Sequence, residues 1–453
     1  MQKGFKGASR HALQNSLVSV KMFTVYSTKT PKSEAMFRRA SEVIPAGVSY
    51  GARGWEPYPF YVARASGSKV IDIDGNEYTD FWCAHLSAIL GHCYPRVVEA
   101  VRKQAEMGLH YGLEHELEIE HAELIKKHMP SMEMMRFASS GTEANMYALR
   151  LARTYTKRTT VGKFEGNWHG GYDGLHYAIK PPLDKPPSGG LTPGVINDLV
   201  ILPYNDLEET RRKIRGKNVG CMEIEPVMGA GGIVPADREF LRGLRELCDE
   251  TGMLLIFDEV ITGFRLGLGG AQSYYGVRPD LTVLGKIIGG GLPVGAVGGR
   301  RDVMEHMDHK KYRGDDYCFN GGTGSANVLT ITAGHETIKV LENEPVYDHI
   351  DRLGDHTRSN LSDIFDRYKY NAQVSGVGSM LAIHFTREPI KDVKVLAREN
   401  KEEAKRFFTQ QLDGGNLILS PELPHTGLSY AHTEKDIEQF VKTSEEFVKS
   451  RTS

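Results

Sequence analysis

The chain has 453 residues, of which 40% are hydrophobic and 25% charged, and its formal net charge is −2 at pH 7. This is the composition of an ordinary globular protein with enough residues for two or three domains. The near-neutral charge argues against a nucleic-acid partner or a membrane-surface role, and no apolar run is long enough to span a bilayer.

Two features bear on where the protein is found. The five cysteines are odd in number, scattered and without CxxC spacing, a pattern that favours a reducing compartment such as the cytoplasm. Residues 1–32 form a basic leader without any acidic residue, which is typical of organellar transit peptides. A disordered arm, or a true start at Met22, explains the leader equally well. We therefore predict a cytoplasmic protein with a disordered leader and leave organellar targeting open.

The first elements after the leader are short. The segment Ser33–Val43 predicts a helix that ends at an Ile-Pro-Ala-Gly break. The aromatic, aperiodic stretch Gly47–Phe60 predicts a loop, and Lys69–Tyr78 predicts a hairpin around an Asp-Gly-Asn turn. Pro95 then begins a predicted helix that continues to Met107.

A stretch rich in histidine and glutamate follows, from His110 to His121. It contains one Glu-x-x-His pair, Glu118 and His121, a spacing that di-iron bundles use. Such sites need a second copy of the pair and further facing glutamates, which the sequence does not supply. We therefore predict a solvated helix face and no metal site.

The next strand leads directly into a helix start. Met134–Ala138 is apolar, and Ser139-Ser140-Gly141-Thr142-Glu143 follows it. Serine and threonine before a helix, with glutamate in the first turn, are start signals. The free N–H groups and the positive dipole end of such a helix point at an anion. The sequence therefore predicts a phosphate-binding cup formed by Ser140, Gly141 and Thr142, although an ordinary helix cap has the same pattern.

Three further elements precede the centre of the chain. Residues 180–194 are too rich in proline and glycine for regular structure, and loops of this length are usually functional; we predict a lid over the active site. Val219–Ile224 is a predicted buried strand that ends at Glu225, and Arg238–Thr251 is a predicted helix.

Two apolar runs then end on opposite charges. Met253–Phe257 stops at Asp258, and Leu281–Leu284 stops at Gly285 and Lys286. Runs of this kind are typical of parallel strands covered on both faces, and ligands bind at the carboxyl edge of such sheets. A lysine and an acid at that edge suit pyridoxal phosphate, bound as a Schiff base with the acid at the pyridinium nitrogen. A buried ion pair beside a flexible loop is the alternative. A nicotinamide enzyme is disfavoured because no GxGxxG follows a strand.

The C-terminal part predicts an α+β unit. A helix is expected from Ala333 to Glu342 and another from Asp348 to Asp366. Glycine-interrupted strands are expected within Ala372–Phe385, and a final amphipathic helix from Glu434 to Ser450.

The run DEVITGFRLGLGGAQSYYGVRPDLTVLGKIIGGGLPVGAVGGR, residues 258–300, resembles the cofactor segment of class III, fold-type I aminotransferases. The similarity extends from Ser33 to the C-terminus and is greatest to the branch of glutamate-1-semialdehyde aminomutases and β-amino-acid aminotransferases. The resemblance implies an α/β fold-type I transferase that depends on pyridoxal phosphate. A large domain, residues 91–335, would have a mostly parallel central sheet. A small α+β domain would combine both chain ends, residues 33–90 and 336–453.

The resemblance also implies roles for residues around the cofactor. Trp168 stands where the family has a tyrosine that stacks on the cofactor, although a simple core aromatic is possible there, and His169 follows it. Glu225 would approach the phenolic oxygen and Val260 would pack behind the ring. Thr323 would reach the phosphate of the other subunit's cofactor, which implies a homodimer with shared active sites.

For the substrate, the resemblance points to four positions. Arg53 matches a carboxylate clamp, while Tyr50, His85 and His425 stand where the aminomutases have serine, tryptophan and glutamate. We therefore favour an aminotransferase that acts on an amino acid or amine and a keto acid or aldehyde, with Lys286 and Asp258 as catalytic residues. The alternatives are an aminomutase of tetrapyrrole synthesis, a racemase and a non-catalytic cofactor-binding protein.

Overall fold

A computed structural model describes residues 24–418 and 425–452. In chain order the strands are β1 (Val62–Ser66), β2 (Lys69–Asp72), β3 (Glu77–Asp80), β4 (Met134–Ala138), β5 (Thr160–Phe164), β6 (Leu199–Leu202), β7 (Val219–Ile224), β8 (Val227–Met228), β9 (Val234–Pro235), β10 (Leu254–Asp258), β11 (Leu281–Gly285), β12 (Gly295–Gly299), β13 (Gln373–Val377), β14 (Met380–His384), β15 (Asn416–Leu417) and β16 (Thr426–Gly427).

The α-helices in chain order are α1 (Thr24–Lys29), α2 (Pro31–Ser41), α3 (Pro95–Met107), α4 (Glu116–His128), α5 (Gly141–Thr156), α6 (Pro193–Asn197), α7 (Leu207–Ile214), α8 (Arg238–Thr251), α9 (Gly270–Tyr275), α10 (Arg301–Met304), α11 (Val328–Asn343), α12 (Val346–Arg367), α13 (Lys401–Asp413) and α14 (Glu434–Thr452). Short 3-10 turns occupy Pro45–Gly47, Gly51–Arg53, Lys286–Gly289, Glu305–Met307, Gly314–Asp316 and Val393–Ala397. Residues Cys83–Leu86 form one further helical turn, whose φ values are positive. In the part of the chain described, every helix is too short or too polar to cross a bilayer.

A seven-stranded sheet forms the centre of the protein, in the order β4-β12-β11-β10-β7-β5-β6. The β10–β11, β10–β7, β5–β7 and β5–β6 pairs are parallel, and β12 runs antiparallel to both β11 and β4. Every residue of β7, β10 and β11 is buried, because the sheet is covered on both faces. The predicted mostly parallel α/β sheet is confirmed, and β7, β10 and β11 end at the same edge.

Most predicted elements occur within a few residues of their expected bounds. The hairpin is formed by β2 and β3, which pair antiparallel, and α8 spans the predicted residues. The helix expected from Ala333 begins earlier, at Val328, because the Asn327 side chain accepts hydrogen bonds from two N–H groups of its first turn.

The two ends of the chain pack together. Strand β15 pairs parallel with β3, so residues more than 300 positions apart share a four-stranded sheet. Tyr26, Phe81 and Phe447 belong to one hydrophobic cluster. This arrangement agrees with a second unit built from both termini, while the domain boundaries at residues 90 and 335 stay a prediction.

The predicted leader needs a correction. Residues 24–29 form α1, and α2 begins at Pro31. Tyr26 is buried and its hydroxyl donates to the carbonyl of Tyr58 at 3.0 Å. The prediction of disorder up to residue 32 is therefore wrong for residues 24–32, because an aromatic anchor docks this segment. Residues 1–23, with the transit-peptide alternative and Met22, lie outside the described residues.

The predicted solvated face is present over most of the stretch from His110 to Glu120, but the prediction is wrong at His121. Helix α4 carries this residue against α11, and His121 is fully buried. Its Nε2 donates to the carbonyl of Ile288 at 3.0 Å, and its ring stacks on Phe137. The sequence does not reveal this burial because most residues of α4 are polar and only a narrow face of the helix packs against the core.

One buried arginine joins distant segments. Arg265 is fully buried, and its guanidinium donates to the carbonyls of Leu86 and Leu428 and to the Ser379 hydroxyl. Leu86 lies between β3 and α3 in the chain. Ser379 comes directly before β14, and Leu428 comes directly after β16. A buried charge is costly unless it is hydrogen-bonded, and both terminal nitrogens of this guanidinium are, whereas Nε has no partner among the described residues.

We expect Arg265→Ala to destabilise the protein by about 3 kcal/mol or more, since it leaves three acceptors without their charged donor. The check is the thermal unfolding midpoint at a fixed scan rate. Arg242→Ala is the matched control, because Arg242 is exposed and pairs only with Glu239 on its own helix; it should change stability by about 0.5 kcal/mol at most. Equal midpoints for the two variants would contradict this role of Arg265.

Candidate active site

A cavity of about 610 Å³ lies at the edge where β7, β10 and β11 end. It brings together most of the residues that the sequence analysis named: Tyr50, Arg53, His85, Ser140, Gly141, Thr142, Trp168, Glu225, Asp258, Val260, Lys286 and His425. His169 and Thr323 do not line it. Lys180 and Pro187, from the predicted lid, line the cavity as well.

Lys286 enters the cavity from the turn after β11. Its backbone has a φ of 50°, in the left-handed region that non-glycine residues avoid. Such conformations cost energy and cluster at functional sites. Desolvation lowers the pKa of the Lys286 ammonium, while the negative charges of Asp258 and Glu225 oppose the shift. A lysine with a lowered pKa is more readily available as a neutral amine.

Asp258 ends β10 at the bottom of the cavity. Its Oδ2 accepts hydrogen bonds from Asn145 Nδ2 at 2.9 Å and His169 Nδ1 at 2.8 Å. Its Oδ1 accepts from the N–H of Val260 at 3.0 Å. Burial lowers the pKa of His169 although Asp258 opposes the shift, so a neutral imidazole donates to the carboxylate. His169 thus supports Asp258 from outside the cavity.

The N-terminus of α5 opens into the same cavity. Ser140 caps the helix, since its Oγ accepts from the N–H of Glu143 at 3.2 Å. Glu143 in turn accepts from the N–H of Ser139 at 2.9 Å. A Cβ at position 141 would lie only 2.9 Å from the Val260 side chain. Glycine is therefore needed at this position to leave space for Val260. The predicted strand, small turn and helix start are therefore present, and the helix N-terminus lines the cavity, where its free N–H groups would suit an anion.

Glu225 follows β7 and holds two backbone donors. Its carboxylate accepts from the N–H of Trp168 at 2.6 Å and of Gly229 at 3.1 Å. Burial and the nearby Asp258 raise the pKa of Glu225 to about 8, while the two backbone bonds oppose this shift. The carboxyl can therefore hold or release a proton near neutral pH. The Trp168 ring lies edge-on to His176, with centroids 5.4 Å apart.

These groups fit pyridoxal phosphate, which has an anionic arm, an aldehyde, a phenolic oxygen and a ring nitrogen. The N-terminus of α5 suits the phosphate, and the Asp258 carboxylate suits a protonated ring nitrogen. Trp168 and Val260 offer apolar surfaces to the two faces of a flat ring. Lys286 supplies the amine.

Two site residues escaped the sequence analysis. Asn145 lines the cavity and bonds Asp258; its position one turn after Gly141 on α5 is the signal that could have identified it. Glu223 lies on β7, is fully buried, and neither of its carboxylate oxygens has a hydrogen-bond partner among the described residues. One of these oxygens is 3.8 Å from His169 Nδ1. A glutamate within a continuous apolar strand gave no hint of this cluster.

Burial, followed by the charge of Asp258, raises the pKa of Glu223 well above its usual range, while Lys163 and Arg153 oppose the shift. The folded protein therefore keeps this proton as pH rises, whereas the unfolded chain loses it, so stability falls above the unfolded pKa. We expect Glu223→Leu to stabilise the cofactor-free protein by about 1–4 kcal/mol, and more at pH 8 than at pH 5.

Thermal unfolding at the two pH values checks this expectation. Glu246→Leu is the control, because Glu246 is exposed on α8 and should change the midpoint little at either pH. A midpoint for Glu223→Leu that falls equally at both pH values would show that the carboxyl stabilises the fold.

Comparison with known proteins identifies the family of this site. The sequence profile of the class III aminotransferases matches residues 50–420. A protein of Thermodesulfovibrio yellowstonii named glutamate-1-semialdehyde 2,1-aminomutase is 40% identical over 424 residues, which are 92% of this chain and 98% of that protein. A protein of Archaeoglobus fulgidus with the same name is 40% identical over 428 residues, which are 92% of this chain and 99% of that protein.

Solved structures give the same result for the fold. An omega-transaminase from Sphaerobacter thermophilus superposes with a TM-score of 0.86 at 35% identity, covering 92% of this chain and 97% of that one. A β-phenylalanine aminotransferase from Variovorax paradoxus superposes with a TM-score of 0.88 at 29% identity, covering 96% and 98%. The chain therefore belongs to the pyridoxal-phosphate-dependent class III aminotransferases and has their fold-type I architecture.

Proposed function

We propose that the protein is an aminotransferase that moves an amino group from an amino acid donor to a keto acid or aldehyde acceptor. The observation that carries the proposal is the convergence of Lys286, Asp258 and the N-terminus of α5 on one cavity. Each of these features alone has an ordinary structural explanation. Together they match the requirements of one cofactor.

Bound pyridoxal phosphate condenses with amines and withdraws electrons from the carbon that carries the amino group. In our proposal Ser140, Gly141 and Thr142 hold the phosphate. The Asp258 carboxylate, supported by Asn145 and His169, keeps a proton on the ring nitrogen. Trp168 and Val260 orient the ring, and Glu225 faces the phenolic oxygen.

Lys286 has two roles in this proposal. It binds the aldehyde carbon between turnovers, and it moves a proton to and from the substrate carbon as a general acid and base. The desolvated site lowers the pKa of its ammonium, which favours the neutral form that accepts a proton. The surrounding apolar strands limit the entry of water.

The charges that line the cavity support a substrate with a carboxylate. Arg53 and Lys180 bring positive charge to the cavity, and the acids among its described lining residues are Glu225 and Asp258, which the cofactor engages in our proposal. A guanidinium offers a two-pronged donor to a carboxylate. Arg53 also lies over the Tyr50 ring, 5.9 Å from its centre, which steadies the side chain for this role.

An aminomutase is the second candidate, because relatives with that name are 40% identical over almost their whole length. An aminomutase moves the amino group within one molecule and so needs no separate acceptor. Tyr50, His85 and His425, at the positions where the family resemblance expects other residues, support the aminotransferase.

We expect that an amino acid donor alone, without an acceptor, will convert the bound cofactor to its amino form with one equivalent of keto product. The measurement is the visible absorption spectrum of the purified protein, with product analysis by mass spectrometry. Catalytic rearrangement of glutamate-1-semialdehyde without an acceptor would establish the aminomutase instead. Inversion of the donor's configuration without loss of its amino group would establish a racemase.

Lys286→Ala should reduce turnover by about 10²–10⁴-fold or more, since the proton-transfer group is lost. Initial rates of keto-product formation provide the test. Lys103→Ala is the control, because Lys103 is exposed on α3 and pairs with Glu99. Near wild-type turnover by Lys286→Ala would refute the proposed mechanism.

We propose further that two copies of the chain share their active sites. Thr323 is exposed and lies outside the active-site cavity. It lines a second surface pocket together with Tyr111 and Leu113. Large apolar side chains are exposed around this pocket: Leu109, Tyr111, Leu113 and Phe319. Exposed apolar patches of this kind mark interaction surfaces. A second copy seated here would bring Thr323 of one subunit to the phosphate of the other.

Leu113→Asp should therefore weaken the dimer, because a charge would enter the apolar contact. Light scattering after size-exclusion chromatography measures the mass, which we expect to fall from twice the chain mass towards the chain mass on dilution. Val43→Asp changes an equally exposed apolar residue elsewhere and should leave the dimer intact. A monomeric, fully active wild type would contradict the shared site.

The proposed enzyme is cytoplasmic. All five cysteines are free thiols, and all except Cys93 are buried, which supports a reducing compartment. Organellar targeting, the alternative, depends on residues 1–23, which lie outside the described range.

A further inference from the structure

Two histidines from distant parts of the chain line the cavity together. His85 follows β3 and His425 precedes β16, and their ring centroids are 6.1 Å apart. Both rings line the cavity that contains Lys286. Strand β16 is fixed to this region because the N–H of Gly427 donates to the carbonyl of Phe81 at 2.9 Å.

The backbone at His85 is strained. Four consecutive non-glycine residues, Cys83 to Leu86, have φ values of 50°, 50°, 60° and 66°. Left-handed conformations of this kind are unfavourable for residues that carry a side chain. Arg265 holds the end of this turn at the Leu86 carbonyl, and Asp80 accepts hydrogen bonds from the N–H groups of Trp82 and Cys83. A strained turn that other groups hold in place is typical of functional sites.

Neither histidine makes a hydrogen bond with any described residue. His85 Nε2 and His425 Nδ1 are buried without a partner, and His425 is 4% exposed. Native structures leave few buried polar atoms unpaired, so each case calls for an explanation. A ligand in the cavity would supply the missing partners.

Both rings are uncharged near neutral pH. Burial lowers the pKa of His85 to about 3, helped by the positive charges of Lys286 and Arg53. Burial also lowers the pKa of His425 to about 3, helped by His85 and Lys286. A neutral imidazole has one N–H donor and one nitrogen acceptor. The pair therefore offers two donors and two acceptors but no charge.

His85 and His425 lie between Lys286 and Arg53, the residues that would bind the two ends of the proposed substrate. The His85 ring is 5.4 Å from the Tyr50 ring, over which Arg53 lies. On the other side, Lys286 is close enough to influence both imidazoles. An amino acid with its amino group at Lys286 and its carboxylate at Arg53 must pass the two rings with its carbon chain.

We infer that His85 and His425 form a subsite for a hydroxyl group on the carbon chain of the substrate, between its amino group and its carboxylate. This inference rests on the proposed function. A hydroxyl can accept from one ring N–H and donate to the nitrogen of the other ring. A second ammonium would meet the positive charges of Lys286 and Arg53, and an unsubstituted chain would leave both rings unpaired.

Three amino donors with one skeleton test the inference: 4-aminobutanoate, 4-amino-3-hydroxybutanoate and 3,4-diaminobutanoate. The measured quantity is kcat/KM for conversion of the cofactor spectrum without an acceptor. We expect the hydroxylated donor to exceed the unsubstituted donor by about 10–100-fold, because the unsubstituted chain leaves buried ring nitrogens unpaired, and we expect the diamino donor to be the poorest. Equal values for the first two donors, or a preference for the diamino donor, would overturn the inference.

Variants of the two histidines test whether these residues cause the preference for the hydroxylated donor. His425→Phe and His85→Phe keep a ring but remove the hydrogen-bonding nitrogens, so the ratio between hydroxylated and unsubstituted donor should fall to about 1. His425→Gln keeps a donor and an acceptor and should retain part of the ratio, which separates lost bonding from a lost fold. His309→Phe changes an exposed histidine outside the cavity and should keep the full ratio. An unchanged ratio in both His85→Phe and His425→Phe would refute the subsite.

A binding experiment with compounds that cannot react tests this inference independently of the proposed function. Calorimetry compares 3-hydroxybutanoate with butanoate on the cofactor-loaded enzyme, and neither compound can transfer an amino group. We expect the hydroxy acid to bind about 10-fold more tightly, and His425→Phe to remove the difference. If no donor reacts but this difference is found, transamination is wrong and the subsite stands. If donors react but the difference is absent, the subsite is wrong and transamination stands.

Discussion

The site depends on placing ionisable groups where three fully buried strands come to an end. Burying a charge without partners is costly, so such a position is stable only if each group is satisfied locally. Asp258 has three donors and Glu225 has two. The parallel register of β7, β10 and β11 brings these groups to one edge. Burial, followed by the charge of Asp258, raises the pKa of Glu225, and burial lowers the pKa of Lys286 although Asp258 and Glu225 oppose that shift.

The second unit, which is built from both ends of the described chain, forms the part of the cavity wall that contains His85 and His425. The turn at His85 and the segment at His425 both belong to it, and Arg265 ties them to the loop after β10. One guanidinium thus links the strained turn, the short strands and the cofactor-binding half.

The family contains enzymes that differ in how they treat an amino group, and the cavity suggests how this chain divides its surface. The side formed by the sheet and by α5 carries the groups that suit pyridoxal phosphate. The opposite side carries Arg53, Tyr50 and the two uncharged imidazoles. In our proposal, specificity on that side comes from hydrogen bonding and from the positive charge of Arg53, so changes there would alter the substrate without disturbing the cofactor groups.

Several parts of the fold and site could be read from local sequence. The apolar runs before Asp258 and Lys286 predicted buried parallel strands, and a charge at the end of such a strand can only lie at the sheet edge. Ser140 and Glu143 marked a helix start because capping depends on neighbouring residues. Helix α11 began earlier than periodicity suggested, since its cap, Asn327, lies before a run of apolar and small residues.

The sequence by itself determined where the strands that carry Asp258 and Lys286 end and where α5 begins, and the family resemblance predicted which residues meet the cofactor. Only the tertiary structure decided that His85 faces His425, that His121 is buried and that Tyr26 anchors the start of the described chain. It also decided that Glu223 lies beside His169 without a hydrogen-bond partner among the described residues. These relations depend on packing between segments far apart in the chain. Hydrophobic periodicity reports which side of an element is buried, whereas the residue that meets it is set by how whole elements pack.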